Sequence, residues 1–162
     1  MDELESIMEL KKGDLSGLEE LVGRHQVEAV QIAYLILGDR PLAEDIVQAS
    51  FLRAAERIHQ FDPDRNFRPW FLRIVTNDAI KASSRSKRQL SLDLAQEAAM
   101  APDWLHDPNP GPEELANTAE TRRMVWESMQ QLTPKQRAAI VMRYFLDMKD
   151  REISRELDRP LS

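Results

Sequence analysis

From its first residue the chain repeats one pattern, apolar residues three and four positions apart, broken by short polar or glycine-containing stretches. That is the period of a helix burying one face. Residues 3 to 12 set Leu4, Ile7, Met8 and Leu10 on one side, and Gly13 ends the segment. Ser16 followed by Glu19 has the form of a capping box, and Leu18, Leu21, Val22, Ala29, Ile32, Ala33 and Ile36 carry a second stripe to Gly38. After a turn, a third helix runs from about Pro41 to Gln60, with Ala43, Ile46, Val47, Ser50, Phe51, Ala54, Ala55 and Ile58 as a wide inward face. A fourth, over residues 67 to 82, turns Phe71, Ile74, Val75, Ala79 and Ile80 inward and leaves a second stripe, Arg68, Arg73, Asn77 and Lys81, free.

The pattern then stops. Residues 91 to 114 hold Pro102, Pro108, Pro110, Pro112 and Gly111 and no positive charge, the composition of a linker, because proline removes backbone donors and favours extended chain. Trp104 is a candidate anchor for it. Helical spacing resumes with Ala119, Met124, Trp126, Met129 and Leu132. Thr133 with Gln136 is another capping box, Pro134 sits where a first-turn proline is harmless, and Ala138, Val141, Met142 and Phe145 follow. A brief turn, a short helix with Ile153 and Leu157 inward and a second turn at 158 to 160 describe the first half of a helix-turn-helix. The helix that would enter the major groove is not in the sequence. No strand-like alternation or internal repeat occurs. The expected fold is therefore all-α, with two small helical domains, residues 1–90 and 113–162, joined by an acidic proline-rich linker, residues 91–112.

Composition narrows the function. No apolar run among the 162 residues approaches the eighteen or so needed to cross a bilayer, so a soluble chain without membrane insertion is expected. The acidic N-terminus is unlike a secretory signal, and the absence of cysteine excludes disulfides, thiolate catalysis and zinc–thiolate sites and suits a cytoplasmic location. His25, His59 and His106 are scattered, with no paired acids or glycine-rich loop near them, and Glu19/Glu20 and Glu113/Glu114 are adjacent pairs that do not share a helical face. Neither an enzyme site nor a cofactor or metal site is expected.

Charge locates the chemistry. The net charge is −6, yet residues 61 to 90 alone carry +4, between a first block of −6 and an acidic block of −7 over 91 to 120; residues 121 to 162 return to +3. A phosphate lattice rewards positive surface, so a chain of this pattern touches nucleic acid at separate places and protein elsewhere. The stretch Phe61 to Arg88 interleaves its cations with Phe67, Trp70 and Asn77 and runs out into Arg85, Lys87 and Arg88. Phosphates need cations, unstacked bases need flat faces, and base edges need a group that both donates and accepts. On the third helix Asp45, Gln48, Ala49 and Leu52 share the outward face. A single exposed leucine is ordinary; the alternative is a protein-binding spot.

Three segments carry a resemblance. AEDIVQASFLRAAERIHQFD from Ala43, FRPWFLRIVTNDAI from Phe67 and LTPKQRAAIVMRYFLDMKDREISREL from Leu132 resemble, in order and over nearly the whole chain, bacterial RNA polymerase sigma factors of the extracytoplasmic-function (ECF) type. The resemblance implies a region-two domain at residues 1–90 that grips the clamp coiled coil of core RNA polymerase's largest subunit through Asp45, Gln48, Ala49 and Leu52; Ala49 stands where an acid is common. It implies that Arg65, Asn66, Arg68, Trp70, Arg73, Asn77, Lys81 and Arg85 bind and melt promoter DNA at the minus-ten element, with Asn77 at a base-contacting position. Arg73 and Ile74 replace the tandem tryptophan wedge of housekeeping sigma factors, which implies selectivity for well-fitting promoters.

The acidic linker resembles the segment that threads the polymerase's active cleft and RNA exit path. Residues 113–162 resemble a region-four domain without its recognition helix, which in the family binds the flap of the second-largest subunit and reads the minus-thirty-five element. Lys149 stands where a capping Ser is usual and Asp158 where Gly is usual. The function implied is promoter-specific transcription initiation under an anti-sigma factor that covers both domains. The alternative is a degenerate sigma-like module that titrates a partner without reading promoters.

Overall fold

A computed structural model describes residues 1–86 and 112–158. Among the described residues there are seven α-helices and no strand: α1 (Glu3–Lys11), α2 (Ser16–Leu37), α3 (Arg40–Glu56), α4 (Phe67–Ser86), α5 (Pro112–Gln130), α6 (Pro134–Tyr144) and α7 (Asp150–Leu157), with a 3-10 turn at Ile58–Gln60. The linker expected at 91–112, with Trp104 and His106, lies outside the described residues except for Pro112, which opens α5. Lys87, Arg88 and Ser162 also lie outside them.

The first unit is built around α2, which packs against α1, α3 and α4, while α3 and α4 pack against each other. Its long apolar stripe supplies the buried residues Leu21, Ala29, Ile32, Ala33, Leu35, Ile36 and Leu37. Against it lie Val47, Phe51 and Ala54 from α3, and Phe67, Phe71, Leu72, Val75 and Ala79 from α4. Phe51 stacks on Phe71 with ring centroids 4.3 Å apart, and Phe71 stacks on Phe67 at 5.7 Å. Such offset aromatic contacts fix the angle between α3 and α4 as well as burying area.

The helix boundaries follow local chemistry, in places other than those expected. Asp2 caps α1 in a reciprocal box with Glu5, and Asp39 accepts from the N–H of Leu42 to start α3. Gly38 ends α2 in the left-handed conformation at φ 69°, which glycine adopts without steric cost. The expected capping box at Ser16 does not form: Leu15 is the cap residue, and the Asp14 carboxylate, one step earlier, accepts the Ser16 N–H at 2.9 Å. The third helix stops at Glu56 rather than continuing to Gln60. In α1 only Ile7 and Leu10 of the expected stripe are buried; Leu4 and Met8 face solvent, because Ser6 turns toward α2 instead.

That substitution of serine for leucine at the contact has a geometric cause. α1 meets the start of α2 so closely that a Cβ on Gly17 would sit 2.1 Å from the Ser6 backbone oxygen. Only glycine fits there.

In the second unit Trp126 and Met129 of α5, Ala138, Val141 and Met142 of α6, and Leu146, Met148 and Leu157 are buried, α6 packing on α4 and α2 of the first unit as well as on α7. The Thr133–Gln136 capping box forms with Pro134 in the first turn. Phe145, expected inward, is 38 % exposed, and Met124 is also exposed; the turn after α6 places Leu146 in the core instead. Asp158 ends α7 in the left-handed conformation at φ 51°, taking up the backbone strain that glycine would avoid.

Gly17→Ala is expected to cost about 1–3 kcal/mol, the usual penalty of overpacking a rigid contact. A thermal melt should show it as a fall of several degrees, whereas Gly23→Ala in the same helix, where nothing lies within 4 Å, should leave the melting temperature unchanged or raise it slightly.

Candidate nucleic-acid interface

The basic stretch is a loop followed by α4. The loop's 62–66 residues are exposed, and Arg65 lies 3.7 Å from Asp62 with most of its surface in water. Asn66 does more for the fold than its neighbours: its side-chain oxygen accepts the Arg68 N–H at 3.1 Å and so caps the first turn of α4. Trp70 is half-buried, leaning on Phe61 at 4.9 Å and Phe67 at 5.6 Å between ring centroids. Its indole is therefore held in place by the core, with part of its surface left outside.

Along α4 the side chains Arg73, Asn77 and Lys81 follow one another at four-residue spacing, Lys81 and Arg85 exposed and the other two half-buried. Asp78, next to Asn77 in the chain and turned toward α3, is buried at 8 % exposure. A buried carboxylate needs partners. Ser50 donates its hydroxyl to Asp78 Oδ2 at 2.9 Å, and Arg53 forms a short charge-assisted bond to Oδ1. The pair pins α3 to α4, so the outward faces of the two helices keep a fixed relation. Sequence reading counted Asp78 only as a negative charge in a basic helix. The usable signal was two polar residues, Ser50 and Asp78, each on the inward side of its helix.

The stripe of α4 expected to be free is not free. Arg68 forms a bidentate pair with Glu28 of α2, Nε lying 3.0 Å from Oε2, and this hydrogen bond raises the Arg68 pKa above its usual value. The same guanidinium reaches the Phe145 carbonyl at 3.3 Å. Asn77 Nδ2 donates to Glu156 Oε1 at 2.6 Å, and Arg73 lies 3.5 Å from Glu156 Oε2. The second unit thus sits against this face. Its firmest attachment is elsewhere: Arg137 of α6 is buried and donates from Nε to the Ile36 carbonyl at 2.9 Å, beside Trp126 packed on Tyr34 at 5.3 Å. None of Glu28, Arg137 or Glu156 was singled out from the sequence, because their partners lie 40, 101 and 79 residues away.

On α3 the four residues of the other candidate face, Asp45, Gln48, Ala49 and Leu52, are all exposed, Leu52 at 62 %. None of them takes part in the second unit's contacts just described. His25 is a core histidine, bonded to Glu3 at 2.6 Å and packed on Phe67. Among the described residues no three His, Asp or Glu side chains are grouped to hold a metal, and no helix is long and apolar enough to cross a membrane.

Two helical units, the first with a cationic, aromatic-interleaved helix and the second with the opening of a helix-turn-helix, define a protein of the nucleic-acid-binding class. Comparison with known families makes this specific. The models of sigma-70 region 2 and sigma-70 region 4 match residues 21–89 and 122–162 in order. Among curated relatives, the ECF RNA polymerase sigma factor SigW of Bacillus subtilis is 29 % identical, over 96 % of this chain and 84 % of that protein. The ECF RNA polymerase sigma-E factor of Salmonella typhimurium is 28 % identical, over 94 % and 81 %, and the RNA polymerase sigma factor CarQ of Myxococcus xanthus 28 %, over 82 % and 71 %. The chain belongs to the sigma-70 family as an ECF sigma factor, and as such it directs promoter-specific transcription initiation.

Asp78→Ala would leave the Arg53 guanidinium and the Ser50 hydroxyl without their shared acceptor. An expected loss of about 2 kcal/mol, reduced from the fully buried case because Arg53 is partly solvated, should appear in denaturant unfolding; Asp78→Asn, which still accepts from Ser50, should lose less.

Proposed function

We propose that the two faces divide the work of initiation. The exposed patch of α3, Asp45, Gln48, Ala49 and Leu52, binds the clamp coiled coil of the polymerase's largest subunit. The loop 62–66 and α4 capture the opened minus-ten strand, Asn77 meeting a base edge, Trp70 offering the exposed part of its ring, and Arg65, Asn66, Arg68, Arg73, Lys81 and Arg85 meeting phosphates or bases. The second unit engages the flap of the second-largest subunit. An anti-sigma factor that covers the α3 patch holds the protein inactive.

The observation that carries this reading is Leu52. α3 buries every other large apolar side chain at least in part, and this one stands 62 % exposed beside a carboxylate and an amide. An apolar anchor ringed by polar groups is the arrangement of a binding hot spot. For the strand, the supporting features are the polarity of α4 and the energetics of capture. Extruding a base costs a few kcal/mol of stacking, which phosphate contacts and a fitted polar group together offset.

Leu52→Asp is expected to weaken binding of the chain to core polymerase by at least about tenfold, equivalent to about 1.4 kcal/mol or more, while the melting temperature stays unchanged because the side chain is outside the core. Unaltered core affinity would sink the assignment of this face. In the assembled holoenzyme, Asn77→Ala should weaken binding of single-stranded minus-ten DNA by about 1–3 kcal/mol and leave core affinity as it was. A strand affinity equal to that of the unsubstituted holoenzyme would remove Asn77 from the site.

A further inference from the structure

Between the two units lies a cleft of about 480 Å3, the size of an ordinary small-molecule site. Arg57, at the end of α3, and Lys81 of α4 line it from the first unit, and Lys135 of α6 and Arg155 of α7 line it from the second. Among the described residues none of these four side chains forms an ion pair or a hydrogen bond.

The acids on the same walls do not balance them. Asp78 is buried against Ser50 and Arg53, and Glu156 is taken up by Asn77 and Arg73. That leaves Asp158 alone against the four cations, a surplus of three positive charges in a chain of net charge −6. A cleft lined by one sign of charge focuses its field and concentrates counter-ions.

The lining also selects the kind of anion. Guanidinium forks match the paired oxygens of a phosphate and ammonium groups add point charge, so two of each suit neighbouring phosphate groups. No aromatic side chain lines the cleft, which therefore offers a base no stacking surface. We propose that the cleft is a binding site for a compact inorganic oligophosphate, held by Arg57 and Lys81 on one wall and by Lys135 and Arg155 on the other. Each unit supplies only half of the cations, so the site is complete only where the units pack together, and a bound ligand adds to what holds them. Of the four, only Lys81 belongs to the strand face proposed above, so this site stands or falls independently of that reading.

The test is calorimetric titration of the full chain with sodium tripolyphosphate, at matched ionic strength and without divalent metal. Binding is expected, together with a melting temperature that rises with ligand concentration. Arg57→Ala and Lys135→Ala, one from each wall, should each weaken binding by about three- to tenfold, the loss of one partly solvated charge-assisted contact. Arg155→Ala is the second variant for the far wall and should do the same. Arg151→Ala removes an equal charge from an exposed position of α7 outside the cleft and should stay within about twofold of the unsubstituted chain. Orthophosphate, with one phosphate group to share among the four cations, should bind at least about tenfold more weakly, and adenosine triphosphate no more tightly than tripolyphosphate.

Absence of binding at millimolar tripolyphosphate overturns the proposal. So does binding that survives the variants of either wall unchanged, or that falls as far in Arg151→Ala, since both results mean diffuse attraction to surface charge. Adenosine triphosphate binding about tenfold more tightly than tripolyphosphate would place a base in the cleft and overturn the ligand class. If the wall variants weaken binding of a single-stranded oligonucleotide and leave that of tripolyphosphate unaffected, the four cations serve nucleic acid and the oligophosphate site falls.

Discussion

The relation between the two units depends on one buried guanidinium at the end of a helix. The last carbonyls of α2 have no partner within the helix. Gly38 turns the chain away and takes the Tyr34 carbonyl, which leaves that of Ile36 to Arg137. Burial pulls the Arg137 guanidinium below its usual pKa, a measure of what removing it from water costs. A carbonyl at the negative end of a helix is a favourable place to recover part of that cost. The contact also fixes position: with Arg137 on Ile36 and Trp126 on Tyr34, α6 lies across α2 and α4, and α7 meets the polar side of α4.

α4 can serve two surfaces because its inward side is specified by more than hydrophobicity. Phe67, Phe71, Val75 and Ala79 provide the apolar stripe, and Asp78 adds a directional bond to Ser50 and Arg53 of α3. Apolar packing alone permits small rotations of one helix on another. A buried carboxylate with two partners on one neighbour does not, since any rotation would leave charge unsatisfied in the core. The outward residues of α3 and α4 are thereby presented at a constant angle.

Much of this was legible from residue spacing. The helices, their order, the capping box at Thr133 and the core stripes of α2, α3 and α4 follow from local chemistry acting within a turn or two. The failures share a cause. Leu4, Met8 and Phe145 have helical spacing but lost their places to Ser6 and Leu146, because close approach at Gly17 and the turn after α6 decide what fits. Ser16 lost its cap to Asp14, a choice between two residues equally able to accept. The candidate residues of α3 are exposed as their spacing implies, whereas the stripe of α4 was read as free because nothing local to Arg68, Arg73 or Asn77 announces Glu28, Phe145 or Glu156. Periodicity says which side of a helix is polar. It is silent on what that side touches.

The two kinds of contact in the molecule also differ in strength. Within each unit the core is apolar and close-packed, so removing one large side chain costs several kcal/mol. Between the units the apolar core continues, with Ala138, Val141 and Met142 of α6 buried where that helix packs on α2 and α4 and Trp126 on Tyr34, and polar contacts lie around it. Those of Arg68 and Arg73 are partly solvated, and pairs of that kind contribute about 0–1 kcal/mol each. Arg137 alone is buried, and its bond to a neutral carbonyl is offset by its own desolvation. The polar contacts thus fix the geometry of the interface, and the apolar burial supplies its free energy. Parting the units would expose that apolar surface of α2, α4 and α6 to water, so the second unit is held by the same force that holds the helices of the first.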